Sequence, residues 1–391
     1  MIKCIDELDI ESKRVFIRVD LNVPIENGKV VDNTRIREAL PTIRYAIKSK
    51  CRVILASHLG RPKGEVQKKY SLEPVGLELA KLLNTDIVMA EDCVGDGVKK
   101  VVSDLYSGRV ALLENLRFHP EEEKNDPKFA QKLASLCDVY INDAFGTAHR
   151  AHASTHGITK FVQIKGAGFL MKKEIDSLGK LLGETKKPFI AVLGGAKISD
   201  KVAVLENILK KVDVMLVGGA MANTFIASRG MKVGKSLNEP QSEPIARSLM
   251  EEAVRIGVKL LMPVDVVVAS SPDDTNFEVV SVEKIPEEKM VLDIGPKSLE
   301  IFSKEIKDAG TIFWNGPMGL FEKPPYDKGT IEVAKAIAGS LAYSVVGGGD
   351  SVSAVSKAGL KGKFGHVSTG GGASLEFLEG KKLPGIEALE I

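Results

Sequence analysis

The sequence predicts an α/β protein of two doubly wound domains, each built on a mainly parallel sheet. Three observations carry that expectation. The chain has 391 residues, too many for one ordinary hydrophobic core. Short β-branched runs alternate with helix-length spans, the pattern of βαβ units. The two halves also differ in chemistry: ten of the 13 arginines lie at or before Arg150, whereas 26 of the 37 glycines lie beyond residue 168. Arginine forks bind anions through side chains, and glycine loops bind them through backbone N–H groups. The first half therefore reads as an arginine-lined anion site and the second as a glycine-loop nucleotide site. Chance clustering is the bland alternative.

Composition excludes several classes. The net charge of +2, from 54 basic and 52 acidic residues, implies no nucleic-acid partner. No apolar run reaches the ~18 residues of a membrane span, and acids stand where a leader would need an apolar run, so no membrane role is expected. Cys4, Cys51, Cys93 and Cys137 form no CxxC pair, and no His/Cys/Asp spacing points to zinc. Reduced thiols in a cytoplasmic protein are the simplest expectation. The near-neutral charge suits a monomer.

In chain order, Arg14–Asp20 reads as a buried strand that ends in Asp20-Leu21-Asn22. Ligands of open parallel sheets sit at carboxyl ends of strands, so Asp20 and Asn22 are candidates. Asp32-Asn33-Thr34 offers caps for a helix to about Lys50, with Arg35 in its first turn. A cation there opposes the helix dipole, which suggests an anionic partner, although a solvated arginine is the plainer explanation. The strand Val53–Ala56 leads into Ser57-His58-Leu59-Gly60-Arg61-Pro62, and Val110–Leu113 leads into Glu114-Asn115-Leu116-Arg117-Phe118-His119. Val139–Asp143 leads into a stretch that reaches Arg150 and His152. Several arginines at equivalent ends of one sheet would converge on a small, highly anionic ligand.

After Gly168 a helix from about Met171 to Leu182 reads as an inter-domain connector. The strand Phe189–Leu193 is followed by Gly194-Gly195-Ala196-Lys197, with Lys201 close behind. Strand, double glycine and lysine at a helix start form a phosphate-binding layout. The chain contains neither GxxxxGK[ST] nor GxGxxG. The layout recurs at Gly218-Gly219, at Gly347-Gly348-Gly349-Asp350-Ser351 and at Ser368-Thr369-Gly370-Gly371-Gly372-Ala373-Ser374. Asp350 suits Mg²⁺, which takes one or two carboxylates plus phosphates, or it caps a helix that begins at Ser351. The apolar loop Asn315–Glu322 could form a base or ribose pocket, with Glu322 available to the ribose hydroxyls.

These stretches, with Arg18-Val19-Asp20-Leu21-Asn22-Val23-Pro24, Asp143–His152 and Trp314–Gly319, make the chain resemble the phosphoglycerate kinases over its whole length. Two departures stand out: the family usually has threonine at Ser351 and commonly glycine at Val291. The resemblance implies reversible, Mg²⁺-dependent transfer between ATP and 3-phosphoglycerate, giving ADP and 1,3-bisphosphoglycerate, by in-line transfer with domain closure. It implies two domains facing each other across a hinge cleft. Residues 1–168 would bind phosphoglycerate through Asp20, Asn22, Arg35, His58, Leu59, Gly60, Arg61, Arg117 and Arg150. Residues 169–371 would hold the nucleotide through Lys197, Lys201, Glu322, Gly348, Gly349, Asp350 and Ser351, with Asp350 on the metal. Residues 372–391 would return to the first domain.

The nucleophile would be a carboxylate, already ionised at neutral pH because its reference pKa is about 4. The chemistry then needs no general base, only positioning and neutralisation of charge on the transferring phosphoryl group. Arg35, Lys197 and the Gly371 and Gly372 N–H groups suit that role. Two rivals are weaker. A dinucleotide-dependent dehydrogenase lacks its GxGxxG fingerprint here. A non-catalytic nucleotide-binding scaffold would have no need of Arg35 or Lys197, and both are present.

Overall fold

The computed structural model describes residues 1–390. They divide into two compact units, Met1–Asp176 with Lys382 onward, and Ser177–Lys381. The first division falls inside the helix Phe169–Leu182. The helix Gly372–Leu378 groups with the second unit, where Leu378 O accepts from Asn207 Nδ2.

The first unit carries β1 (Arg14–Val19), the short hairpin β2 (Ile25–Glu26) and β3 (Lys29–Val30), β4 (Arg52–Ala56), β5 (Ile87–Met89), β6 (Val110–Leu112), β7 (Val139–Asp143) and β8 (Ile164–Ala167). Apart from the hairpin these form one parallel sheet, ordered β5-β6-β4-β1-β7-β8. Phe16 pairs in register with Ile54 on one side and Tyr140 on the other. Both faces of the central strands are covered, so they read as apolar runs rather than alternating ones. Chain order runs outward from β1 through β4 and then reverses to β7 and β8. The loops after β1 and β7 therefore part at the carboxyl edge, which creates the crevice of a doubly wound sheet. The helix Thr34–Lys48 starts near its expected position, but Asp32 rather than Asn33 takes the Thr34 N–H, at 2.9 Å. Asn33 Oδ1 instead accepts from Arg37 Nε at 2.9 Å.

The second unit repeats the scheme with β9 (Phe189–Leu193), β10 (Val214–Val217), β11 (Lys259–Leu261), β12 (Asp265–Ala269), β13 (Glu278–Ser281), β14 (Met290–Ile294), β15 (Thr311–Asn315), β16 (Tyr343–Gly347) and β17 (His366–Val367). The parallel sheet is ordered β11-β10-β9-β15-β16-β17, so its reversal falls between β9 and β15. Trp314 is fully buried in this core, with Nε1 donating to Gly316 O at 2.8 Å. An antiparallel sheet, β13-β12-β14, is added to the doubly wound plan. The C-terminal segment joins the first unit: Gly385 N donates to Ala148 O at 2.8 Å, and a Cβ on Gly385 would meet Ala148 Cα at 2.9 Å.

Candidate functional site

The crevice of the first unit collects cations from successive strand ends. Asp20, just past β1, accepts from Arg35 Nη1 at 2.8 Å and so aims a guanidinium that starts on the next helix. Asn22 Oδ1 accepts the Gly60 N–H at 2.9 Å. Gly60 has φ +61°, and a Cβ there would meet the Tyr70 ring at 2.3 Å, so only glycine fits between Leu59 and Arg61. Asn115 ties the loops after β4 and β6 together. Its Oδ1 accepts from Leu59 N and Arg117 N, and its Nδ2 donates to Leu59 O and Tyr70 O, all within 3.2 Å.

Arg117 is the most constrained of these cations, with 4% of its surface exposed. Nη1 donates to Gly60 O at 2.9 Å. Glu123 Oε1 lies 3.2 Å from Nε, close enough for charge attraction but misaligned for a hydrogen bond. Nε and Nη2 are therefore buried donors without a hydrogen-bond partner. Burial, reinforced by Arg150 and Arg18, pushes the guanidinium pKa down despite the attraction of Glu123. His58 is held well below the ordinary histidine range, first by burial and then by Arg18, Arg117, Arg35 and His152. His152 is lowered to about 3 for the same reasons, burial first. Arg61 stands exposed and Arg150 half-buried, with Arg150 Nε donating to His149 Nε2 at 3.1 Å.

In the second unit the loops at the sheet reversal interlock. Gly194 N donates to Asn315 O and Gly195 N to Pro317 O, each at 2.9 Å. A Cβ on Gly194 would stand 2.1 Å from Pro317 O. The Gly218-Gly219 repeat serves this packing too: Gly219 has φ +66°, and its Cβ would meet both Gly195 and Pro317 backbone at 2.7 Å. Beside these loops lies a mostly apolar cavity of about 430 Å³. Its wall includes Pro317, Met318, Leu320 and Glu322 of the loop after β15, with Asp350 at one side.

The structure corrects the expected helix start at Lys197. The helix begins at Val202, Lys201 is its cap residue, and Lys197 lies exposed in the preceding loop. The loop N–H groups of Ile198 and Ser199 already donate to Glu239, at 2.6 and 3.1 Å, so an internal carboxylate occupies that backbone nest. Lys201 Nζ donates to Gly194 O at 2.7 Å. Burial pushes its pKa down to about 8, against the opposing pull of Asp350 and Asp200. The later glycine loop does open a helix. Gly348, with φ +90°, caps Gly349–Lys357, so Asp350 is an exposed first-turn residue rather than the cap of a helix beginning at Ser351. Ser351 is fully buried, and its Oγ accepts the Gly316 N–H at 2.6 Å. The helix after Ser368 starts at Gly372, with Gly371 as cap at φ +53°. Cβ atoms added at Gly371 and Gly372 would meet nothing within 4 Å.

Some of what shapes these surfaces escapes a reading of the sequence. Arg18, Asn115, Glu122 and Ser154 organise the first site from within. Val291, Leu292 and Asp293 of β14, together with Asn223 and Leu237, line the cavity without belonging to any glycine motif. Asp293 is buried, accepts from Ile294 N at 2.9 Å and Gly329 N at 2.7 Å, and has its pKa pushed up to about 7, mainly by burial. The spacing argument against metal clusters also missed one grouping. Asp92, Cys93 and His119 bring their ligand atoms within 4.8 Å of one another, with His119 Nε2 2.7 Å from Asp92 Oδ1.

Comparison with known proteins is consistent along the chain. The family model described as phosphoglycerate kinase matches residues 5–381. A phosphoglycerate kinase of Anaeromyxobacter dehalogenans (strain 2CP-C) is 58% identical over 393 residues, covering 100% of this chain and 99% of that protein. The one from Acidobacterium capsulatum is 56% identical, covering 98% of each. Among solved structures, phosphoglycerate kinase from Coxiella burnetii superposes with a TM-score of 0.91 at 42% identity, covering 100% of this chain and 99% of that one. The enzyme from Pyrococcus horikoshii OT3 gives 0.86 at 35% identity, covering 98% of each.

Proposed function

The chain belongs to the phosphoglycerate kinase family and carries that family's reversible phosphoryl transfer between ATP and 3-phosphoglycerate; we propose how its residues divide the work. The first unit binds 3-phosphoglycerate and 1,3-bisphosphoglycerate through Asp20, Asn22, Arg35, His58, Leu59, Gly60, Arg61, Arg117 and Arg150. The observation that carries this half is Arg117, a buried guanidinium with two unpartnered donors. Such donors are costly unless an anion completes them. The second unit binds ATP or ADP, with the base and ribose in the cavity beside Glu322. Phosphates lie toward Lys197, Lys201 and the Gly348–Ser351 loop.

No residue has to remove a proton, because the phosphoglycerate carboxylate arrives ionised. Arg35, Lys197 and the Gly371 and Gly372 N–H groups stabilise charge on the phosphoryl group as it passes. The exposed Asp350 carboxylate stands at the wall of the cavity with no capping role to occupy it, which fits a Mg²⁺ ligand. Asp350 would hold Mg²⁺ together with the nucleotide phosphates, and the ion would there supply neutralisation of phosphate charge. The substrates sit on separate units, so reaction requires a closure step that aligns them and excludes water from the acyl phosphate.

No helix among the described residues is long and apolar enough to cross a membrane. The four cysteines are unpaired and buried, which fits a reducing compartment such as the cytoplasm.

The test is an ATP-dependent assay with 3-phosphoglycerate, coupled to a reductase that consumes the acyl phosphate and followed by NADH loss. Turnover that requires both substrates and Mg²⁺ is expected. Folded protein that binds ATP yet shows no turnover would return the non-catalytic scaffold to first place.

A further inference from the structure

Beneath the arginine cluster, the first unit buries a chain of polar groups that phosphoryl transfer does not itself use. Arg18, within β1, has no exposed surface. Nε donates to Ser154 Oγ at 2.9 Å, Nη1 donates to Val19 O, and Nη2 lies 3.2 Å from His58 Nδ1. Ser154 Oγ in turn donates to Glu122 Oε1 at 2.5 Å, while Ser154 N donates to Glu122 Oε2 at 2.9 Å. The Tyr140 hydroxyl, donating to Ser154 O at 2.7 Å, fixes the same residue from the sheet side. Glu122 is also fully buried. It is the negative end of a relay that starts at the Arg18 charge.

The roles in this relay are fixed by chemistry. An arginine side chain has donors and no acceptor. At the 3.2 Å contact His58 Nδ1 must therefore offer its lone pair, which leaves the ring hydrogen on Nε2. We propose that Arg18, locked through Ser154 to Glu122, is a positioning residue that presents His58 to the phosphoglycerate as a neutral Nε2–H donor. This rests on the assignment of His58 to that substrate. The groups that face the ring are Arg18, Arg117, Arg35 and His152, three cations and a neutral imidazole, and together with burial they oppose its protonation. The arginines supply the charge for the anion, and His58 supplies a directional donor whose charge does not change between pH 5 and 8, where a free histidine would titrate.

The decisive measurement is nitrogen NMR of the histidine rings in the full-length, ¹⁵N-labelled protein, with His58 assigned by the signal lost in His58→Gln. Between pH 5 and 8 His58 is expected to show an unprotonated Nδ1, a protonated Nε2 and no titration. Addition of 3-phosphoglycerate should shift the Nε2–H signal. In Ser154→Ala, which breaks the relay and leaves both charges, the KM for 3-phosphoglycerate should rise about fivefold, the worth of one buried hydrogen bond. The maximal rate and the KM for ATP should stay within about twofold. A titrating His58, or one protonated on Nδ1, overturns the proposal and leaves the proposed function standing. The expected tautomer with no response to phosphoglycerate overturns both. If Ser154→Ala does not fold, the wild-type spectra decide alone.

Discussion

Arg117→Met should separate substrate binding from stability. In the ligand-free protein Arg117 is a buried cation with one hydrogen bond, to Gly60 O at 2.9 Å, and two buried donors unpaired. Methionine keeps much of the stem's packing and removes the charge. It loses one hydrogen bond worth about 1 kcal/mol, and it removes two unsatisfied donors that each cost about 1–3 kcal/mol. The ligand-free protein should therefore be as stable as the wild type or more so, by up to a few degrees at about 2–4 °C per kcal/mol for a unit of this size. The phosphoglycerate complex loses two hydrogen bonds to a charged group, each worth about 1.5–3 kcal/mol. That is roughly 10²–10⁴ in affinity. Thermal scans with and without 3-phosphoglycerate read both quantities in one experiment. In the wild type, ligand at a hundred times Kd adds about 2.7 kcal/mol, and this shift should vanish in the variant. The reasoning fails if the variant unfolds well below the wild type without ligand, or if the ligand stabilises both equally.

Three further substitutions test the local arguments. Gly60→Ala forces a left-handed residue against Tyr70, 2.3 Å from the added carbon; the KM for phosphoglycerate should rise about tenfold, a loss of ~1.4 kcal/mol, with ATP binding unchanged by calorimetry. Ser351→Ala leaves the Gly316 N–H without its acceptor, which should destabilise the second unit by about 1–3 kcal/mol and raise the KM for ATP but not for phosphoglycerate. Asp293→Asn tests a pH dependence. The folded carboxyl, pushed up to about 7, binds a proton that the unfolded chain releases near pH 4. Stability of the second unit should thus fall as pH rises through that interval and level off above it. The variant should lose that slope in calorimetric scans, and an unchanged slope would contradict the assignment.

The scaffold was legible because it is written in local signals. Strands such as Val139–Asp143 are buried on both faces, and the residues that follow them in chain order stand at one edge of the sheet. That suffices to place Asp20, His58, Arg117 and Arg150 on the first unit's carboxyl edge. Glycine motifs were less decisive, because close packing and anion binding demand the same residue. A Cβ on Gly219 would stand 2.7 Å from the backbone of the β9 and β15 loops, whereas Gly371 and Gly372 have open space around them. Only coordinates tell these apart. Glu239, which lies 40 residues from the Ser199 it bonds, could not be linked to the Gly194 loop by spacing. The relay of Glu122, Ser154 and Arg18 was hidden for the same reason: no segment of the sequence contains two of its members.

The two units store the cost of phosphate binding in different places. In the first, the cost is electrostatic: Arg18 and Arg117 are buried cations, and the only fully buried carboxylate in their relay, Glu122, reaches Arg18 through a hydroxyl rather than by direct pairing. Neutralising such a cluster with a polyanionic substrate recovers free energy that the free enzyme forgoes. In the second, the cost is steric and conformational, held in glycines that interlock at β9 and β15, while the half-buried ammonium of Lys201 already has a carbonyl partner. At equal occupancy either ligand stabilises its own unit by the same RT ln(1 + [L]/Kd), so the difference should appear in how affinity responds to salt. Phosphoglycerate should lose little affinity at high salt, since burial shields the charges of Arg18 and Arg117 from screening ions, and a Kd that rises steeply with salt in calorimetry would contradict this.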